Sequence, residues 1–223
     1  MEHIELLIFD MDGTLYKTEC VSVNASLRGI RRVYEENGIN LPLPTPVHIM
    51  SHIGKRTEDY YKSLLPESVR HLFGKVHKYT QDNEVEALVA GKGVVYDGVL
   101  ETLGELKRRG YKLAVASNSD PRYFNTVLDS TGIGKFLDRK MCIGMLNAPA
   151  KNKAPMLKKI VAELGVKNAV MVGDRIDDVA GAKDAGMDCI GCFYGYGSPL
   201  EFEHAIFSVM SLKELLIVFT ERK

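Results

Sequence analysis

Net charge is the first thing this sequence lacks: 29 lysines and arginines face 29 aspartates and glutamates. No run of five like charges interrupts that balance. A chain of this kind has no electrostatic footprint for nucleic acid or for an acidic membrane surface. Long hydrophobic runs are also missing. The opening Leu6-Leu7-Ile8-Phe9 is too short for a secretory core and is closed by Asp10 and Asp12 instead of a small-residue cleavage site. The longest late run, Leu215-Leu216-Ile217-Val218-Phe219, falls far below the ~18 apolar residues of a membrane span. These absences predict a soluble, cytoplasmic protein without a signal peptide. Cysteine is scarce as well. Cys20, Cys142, Cys189 and Cys192 are too few for a disulfide scaffold in a chain able to build its own core, so reduced thiols are expected. Cys189 and Cys192 do form a C-x-x-C, but in an apolar stretch that reads as a strand, where their side chains face opposite ways. A zinc site would need a second ligand pair, which neither Cys20 nor Cys142 supplies. Buried cysteines are the expected reading.

What is present is a core-forming composition, 45% hydrophobic over 223 residues, enough for one domain with a lid or for two. From residue 97 onward a unit repeats in which an amphipathic helix stops at a glycine and an apolar strand follows. Val99 to Arg109 stops at Gly110 before Tyr111 to Ala116. Ala154 to Leu164 stops at Gly165 before Ala169 to Val172, and Asp177 to Ala185 stops at Gly186 before Cys189-Ile190. Asp120-Pro121 opens a further helix to about Ser130, and Met141 to Ile143 is a weaker strand candidate. Ile4 to Phe9 reads as a strand covered on both faces. The expected fold is therefore α/β, a doubly wound, Rossmann-like parallel sheet. Between that first strand and the repeating units the periodicity turns helical: Val23, Leu27, Ile30, Val33 and Tyr34 share one face. Two more helices, Thr57 to Leu65 and Glu67 to Ala90, follow the stiff connector Leu41 to Pro46. The expected organisation is a core of residues 1–16 and 96–223 with an inserted helical cap at 17–95.

The chemistry sits at strand ends. Asp10, Ser117 and Asp174 each directly follow an apolar run, and in a doubly wound sheet the carboxyl ends of strands meet in one crevice at the topological switch point. The first such segment reads Asp10-Met11-Asp12-Gly13-Thr14 and the later one Gly173-Asp174-Arg175-Ile176-Asp177-Asp178. Carboxylates clustered in a partly buried crevice call for a cation, and all-oxygen ligands suit a hard ion such as magnesium.

These motifs resemble those of the haloacid dehalogenase superfamily. Its D-x-D-G-T signature matches Asp10 to Thr14, its strand-end Ser/Thr matches Ser117 followed by Asn118, its lysine matches Lys153, and its G-D-x-x-x-D matches Gly173 to Asp178. The stretch from Gly181 to Ser198 looks most like the phosphoglycolate phosphatase branch, which carries a helical cap after the first motif. The resemblance implies an Mg2+-dependent phosphatase acting on a small phosphorylated metabolite through an aspartyl-phosphate. Asp10 would be the nucleophile and Asp12 the acid that protonates the leaving oxygen and then activates water. Magnesium would be bound by the Asp10 and Asp174 carboxylates and the Asp12 carbonyl, with Asp178 at the metal site orienting Lys153 or a metal-bound water. Ser117, Asn118 and Lys153 would hold the phosphoryl oxygens. The family often shows K-P at the third motif, whereas this chain reads Lys151-Asn152-Lys153-Ala154-Pro155, so Lys151 stays open beside Lys153. Asp177 likewise stays open beside Asp178.

Lys55 and Arg56, in the expected cap, are candidates to reach over the crevice toward the substrate's non-phosphate end. His48 and His52 stand four apart but lack an H-E-x-x-H glutamate and a third ligand, so packing explains them. A β-phosphoglucomutase-like mutase is the rival reading. Those enzymes carry a cap histidine twelve residues after the nucleophile, where this chain has Ser22. A nucleotidase, with Tyr60 or Tyr61 stacking a base, is a further alternative. The assembly is expected to be a monomer or homodimer.

Overall fold

The computed structural model describes residues 3–146 and 150–222. Positions 1–2, 147–149 and 223 of the expected core lie outside the described residues. Six strands form one sheet: β1 (Leu6–Phe9), β2 (Lys112–Ser117), β3 (Arg139–Cys142), β4 (Ala169–Gly173), β5 (Asp188–Cys192) and β6 (Phe207–Val209). Their spatial order is β3-β2-β1-β4-β5-β6, and every neighbouring pair is parallel. Side-chain alternation explains why the strands read as continuous apolar runs. Leu7 and Phe9 of β1 join Leu113, Val115, Val170 and Val172 on one face, while Leu6 and Ile8 join Ala114, Ala116 and Met171 on the other. The same alternation separates the two cysteines of the C-x-x-C. Cys189 packs on one face of the sheet and Cys192 on the other, both buried and unbridged.

Helices α5 (Val99–Arg108), α6 (Pro121–Ser130), α7 (Ala154–Leu164), α8 (Ile176–Ala185) and α9 (Leu215–Val218) belong to the sheet half of the chain. The α/β doubly wound architecture read from the sequence is the one the molecule has. Strand β3 begins two residues earlier than its apolar side chains suggested. Its first residues, Arg139 and Lys140, are half-buried and keep polar ends in solvent. Strand β6 went unread, since three residues give no periodicity to detect.

Between β1 and β2 lie α1 (Glu19–Glu36), α2 (Pro46–Met50), α3 (Thr57–Leu64) and α4 (Phe73–Val89). The segment expected to be one helix from Glu67 opens as a 3₁₀ turn, Glu67–Leu72, before α4 begins. Ser68, Val69, His71 and Gly74 are weak helix formers, so nothing local enforces a continuous α-helix there. These helices bury their own apolar cluster, with Ile30, Val33, Ile49, Leu64, Val69 and Val76 among its members, separate from the two clusters on the sheet. Helices α1 and α4 approach closely because Gly29 has no side chain. A Cβ there would lie 2.5 Å from Thr80 Oγ1.

The chain leaves and re-enters the sheet half through paired connectors. The Lys17 N–H donates to the Val94 carbonyl at 2.8 Å and the Tyr96 N–H to the Leu15 carbonyl at 3.1 Å, with Tyr16 and Val95 bridged antiparallel between them. Among the described residues no helix is long and apolar enough to cross a membrane.

Candidate active site

Strand order decides where the acids meet. The chain moves outward from β1 through β2 to β3, then returns to the other side of β1 at β4, so the switch point lies at the carboxyl ends of β1 and β4. Asp10 directly follows β1, Asp174 directly follows β4, and Asp178 stands in the first turn of α8. One carboxylate oxygen from each of Asp10, Asp174 and Asp178 lies within 4.8 Å of the others, all three residues being buried.

Each carboxyl is placed by its local backbone. Asp10 Oδ1 accepts from the Met11 N–H at 2.8 Å. Asp174 accepts from Thr14 Oγ1 at 3.0 Å and from the Tyr196 N–H at 2.8 Å. Asp178 Oδ2 accepts from the Arg175 N–H at 3.0 Å, which also caps α8. Gly13 permits this packing, with φ at 91° and a would-be Cβ only 2.3 Å from Asp174 Oδ2. Gly13→Ala is expected to cost about 1–3 kcal/mol through backbone strain alone, with more from displacing Asp174. A lowered urea midpoint at unchanged m-value would show it.

Lys153, the N-cap residue of α7, is 1% exposed and lies beneath this cluster. Its Nζ is 2.6 Å from Asp10 Oδ1 and 2.6 Å from Asp178 Oδ1. Burial alone would push the ammonium down, but Asp10, Asp178 and Asp177 outweigh burial and hold it above its ordinary value. Lys151 is exposed and lines a different depression, so of the two lysines Lys153 is the one beside Asp10. Asp178, not Asp177, faces the cluster. Asp177 Oδ2 instead accepts from Asn118 Nδ2 at 2.8 Å.

Asp12 is not among the three grouped acids. Its carboxylate accepts from Thr18 Oγ1 at 2.7 Å, from the Tyr123 hydroxyl at 2.8 Å and from Ser117 Oγ at 3.4 Å. The metal contact expected of Asp12 is its backbone carbonyl, and the side chain keeps to these hydroxyls. Burial raises the Asp12 carboxyl, opposed by the Thr18 and Tyr123 hydroxyls. Asp10 is raised by burial against the pull of Lys153, and Asp174 is raised well above the usual range by burial and then by Asp10 and Asp178. Asp178 is pushed up to about 7, by burial first and Asp10 second. Three buried carboxyls raised in this way, with one ammonium among them and only oxygen donors converging, fit a hard divalent cation.

Asp10 and Asp12 form the floor of a cleft roofed by α1, α3 and α4, with Ser117 and Asn118 at its side. Lys55 lines this cleft but is exposed, and its Nζ donates to Ser63 Oγ at 3.3 Å. Arg56 does not line it. That side chain lines an outer depression shared with Lys62, Arg70, Lys151 and Arg175. His48 is exposed and stacks edge-on against His52 at 4.6 Å, a packing pair with no third ligand among the described residues. Sequence reasoning missed Thr18 and Tyr123, the partners of Asp12, and Glu84, a buried acid of α4 that lines the cleft. Tyr123 could have been suspected from its place in the first turn of the helix opened by Asp120-Pro121. Nothing in the local pattern marks Glu84.

Known proteins resemble this chain in sequence and in fold. A probable phosphatase, IndB, of Dickeya dadantii is 30% identical, covering 85% of this chain and 81% of its own length. A phosphoglycolate phosphatase of Pseudomonas putida is 35% identical, covering 95% of this chain and 78% of its own. Among solved structures, a predicted phosphoglycolate phosphatase from Haemophilus somnus superposes with a TM-score of 0.81 at 23% identity, covering 97% of this chain and 98% of that one. A haloacid dehalogenase-like family protein from Streptococcus pneumoniae gives 0.79 at 18% identity over 99% of this chain and 100% of that one, a likeness of fold. The model of the haloacid dehalogenase-like hydrolases matches residues 4–186, and this chain, an enzyme with three buried acids gathered at its switch point, belongs to that family.

Proposed function

We propose that the enzyme hydrolyses a small phosphomonoester in two steps through an aspartyl-phosphate on Asp10, with magnesium held by Asp10, Asp174 and Asp178. The observation that carries this reading is the division between two neighbouring carboxyls. Asp10 is gripped by an ammonium and grouped with two further acids, while Asp12 sits among hydroxyls, raised by burial and able to hold a proton. With Oδ1 held by the Met11 N–H and Lys153, Asp10 offers Oδ2 to phosphorus. The P–O bond to the leaving alcohol breaks as Asp12 gives that oxygen its proton. Water then attacks phosphorus, Asp12 takes the proton back, and the bond to Asp10 breaks to release phosphate. Magnesium supplies neutralisation of the phosphoryl charge. Lys153 fixes Asp10 and adds positive charge where negative charge builds, and Ser117 is placed to donate to a phosphoryl oxygen. Residues 17–95 act as the cap that closes the cleft against water.

The test is phosphate release by purified protein over a panel of phosphomonoesters, with and without magnesium. The Pseudomonas putida relative is named for phosphoglycolate, which puts that ester first in the panel. Release that requires magnesium supports the reading, and interconversion of a sugar phosphate without release would replace it with the mutase reading. Hydrolysis is favoured because Ser22, where mutases of the resembled family carry histidine, lines the cleft and donates to Glu84 at 2.5 Å.

Metal binding has its own readout. At free magnesium about a hundredfold above Kd, the fold should gain about 2.7 kcal/mol, a rise in Tm of several degrees. Asp174→Asn should abolish the rise. An equal shift in that variant would remove Asp174 from the metal site.

A further inference from the structure

The cleft continues past Asp10 and Asp12 into an inner compartment beneath the helices, where the alcohol of a bound ester would lie. Its walls carry Ser22, Thr57, Tyr60, Gln81 and Glu84, groups that both donate and accept hydrogen bonds. Its charges are one-sided. Asp12, Glu84 and Asp120 line it, the one lysine or arginine among the lining residues is Lys55, exposed and turned to Ser63, and the His77 Nε2 meets Asp120 at 2.8 Å. Arg56, Lys62, Arg70 and Lys151 line the outer depression instead, which meets the cleft at Gly54, Lys55 and Asn118. Glu84 is 9% exposed, and its carboxyl accepts from Ser22 Oγ.

Resting on the phosphomonoesterase reading above, we infer that this compartment accepts a small leaving alcohol that bears hydroxyl groups and rejects one bearing a carboxylate, with Glu84 as the specificity-determining residue. A carboxylate placed there would lose its water and find Asp12, Asp120 and Glu84 instead of a cation. A hydroxyl would find partners of both senses. An ammonium would meet the same acids with attraction, so the discrimination is against the carboxylate. Burial, opposed by the Ser22 hydroxyl and helped by Asp12 and Asp120, pushes the Glu84 carboxyl up to about 8. In its neutral form it donates as well as accepts; ionised, it adds to the repulsion. The other titratable groups facing it are Tyr16 beside β1, Tyr60 and Tyr61 of α3 and Tyr123 of α6, all raised by burial and neutral over the same range.

Three esters of matched size test this: the phosphates of ethylene glycol, glycolate and ethanolamine, assayed with magnesium at about pH 6.5 and about pH 9. These conditions bracket the Glu84 transition. The glycol ester should exceed the glycolate ester in kcat/KM by at least about tenfold. That ratio should grow with pH in the parent enzyme and stay flat in Glu84→Gln, a difference that a purely structural glutamate would not produce. The parent ratio alone suffices if the variant does not fold. A glycolate ester hydrolysed as well as the glycol and ethanolamine esters overturns the inference and leaves the hydrolase standing. Absence of magnesium-dependent release from all three and from p-nitrophenyl phosphate overturns both.

Discussion

Asp10→Asn is expected to lower phosphate release by at least about 10⁴-fold while leaving the thermal midpoint unchanged or higher. The two halves of this expectation come from one geometry. An amide in place of the carboxylate cannot attack phosphorus, so the covalent route closes. Yet Asp10 shares its surroundings with Asp12, Asp174 and Asp178, and desolvation already works against its charge. Removing one negative charge relieves that repulsion, and Lys153 keeps Asp178 as its partner at 2.6 Å. Steady-state release and a melting curve in the absence of magnesium, taken on the same preparation, check both halves. A residual rate within tenfold of the parent would mean that Asp10 is not the nucleophile. A collapse of the midpoint would mean that it is primarily a structural partner of Lys153.

Lys153→Met should be the more damaging change for the fold. It leaves two buried carboxyls without their cation, and breaking a buried pair in this way costs about 3–5 kcal/mol. Phosphate release, assayed well below the variant's midpoint, should also fall by about 10²–10³-fold. The sign of the pH dependence is fixed by the carboxyls left behind. Asp178 is already raised to about 7 with Lys153 present, and without the ammonium it and Asp10 rise further. A raised carboxyl is protonated more readily in the folded chain than in the unfolded one, so stability is lost as pH rises toward the folded value. The gap between parent and variant should therefore be wider at pH 8 than at pH 5, which urea titrations at the two pH values would show. A gap that is constant with pH would mean that lost packing, not lost charge, accounts for the penalty.

Much of this molecule was legible in its sequence because its strands are buried on both faces. Leu6 to Phe9, Leu113 to Ala116 and Val170 to Gly173 carry no polar side chain to break the run, and the residue that ends each run lies at the crevice by topology alone. The acids of the candidate site were readable for that reason. Other parts depend on tertiary packing. The start of α4 at Phe73 and the strand Phe207–Val209 have weak local preference and are set by what they pack against. Glu84 and Ser22 are separated by 62 residues and meet because Gly29 lets α1 and α4 approach, a relation with no trace in either helix's periodicity. Lys151 and Lys153 differ by two positions yet end in solvent and in the core respectively, a distinction made by the direction of one helix start.

The paired connectors at Leu15–Lys17 and Val94–Tyr96 set how the helical segment can move. Two independent tethers would let it tumble, because each could rotate without regard to the other. A hydrogen-bonded two-stranded ribbon is a leaf spring. It flexes easily out of its own plane and resists shear within it, since sliding one strand past the other would break the bonds at both Val94 and Leu15. Because the helices of the segment bury a common core of their own, Tyr60, Ser22 and Glu84 would be carried together by any swing about this neck, as a preassembled wall.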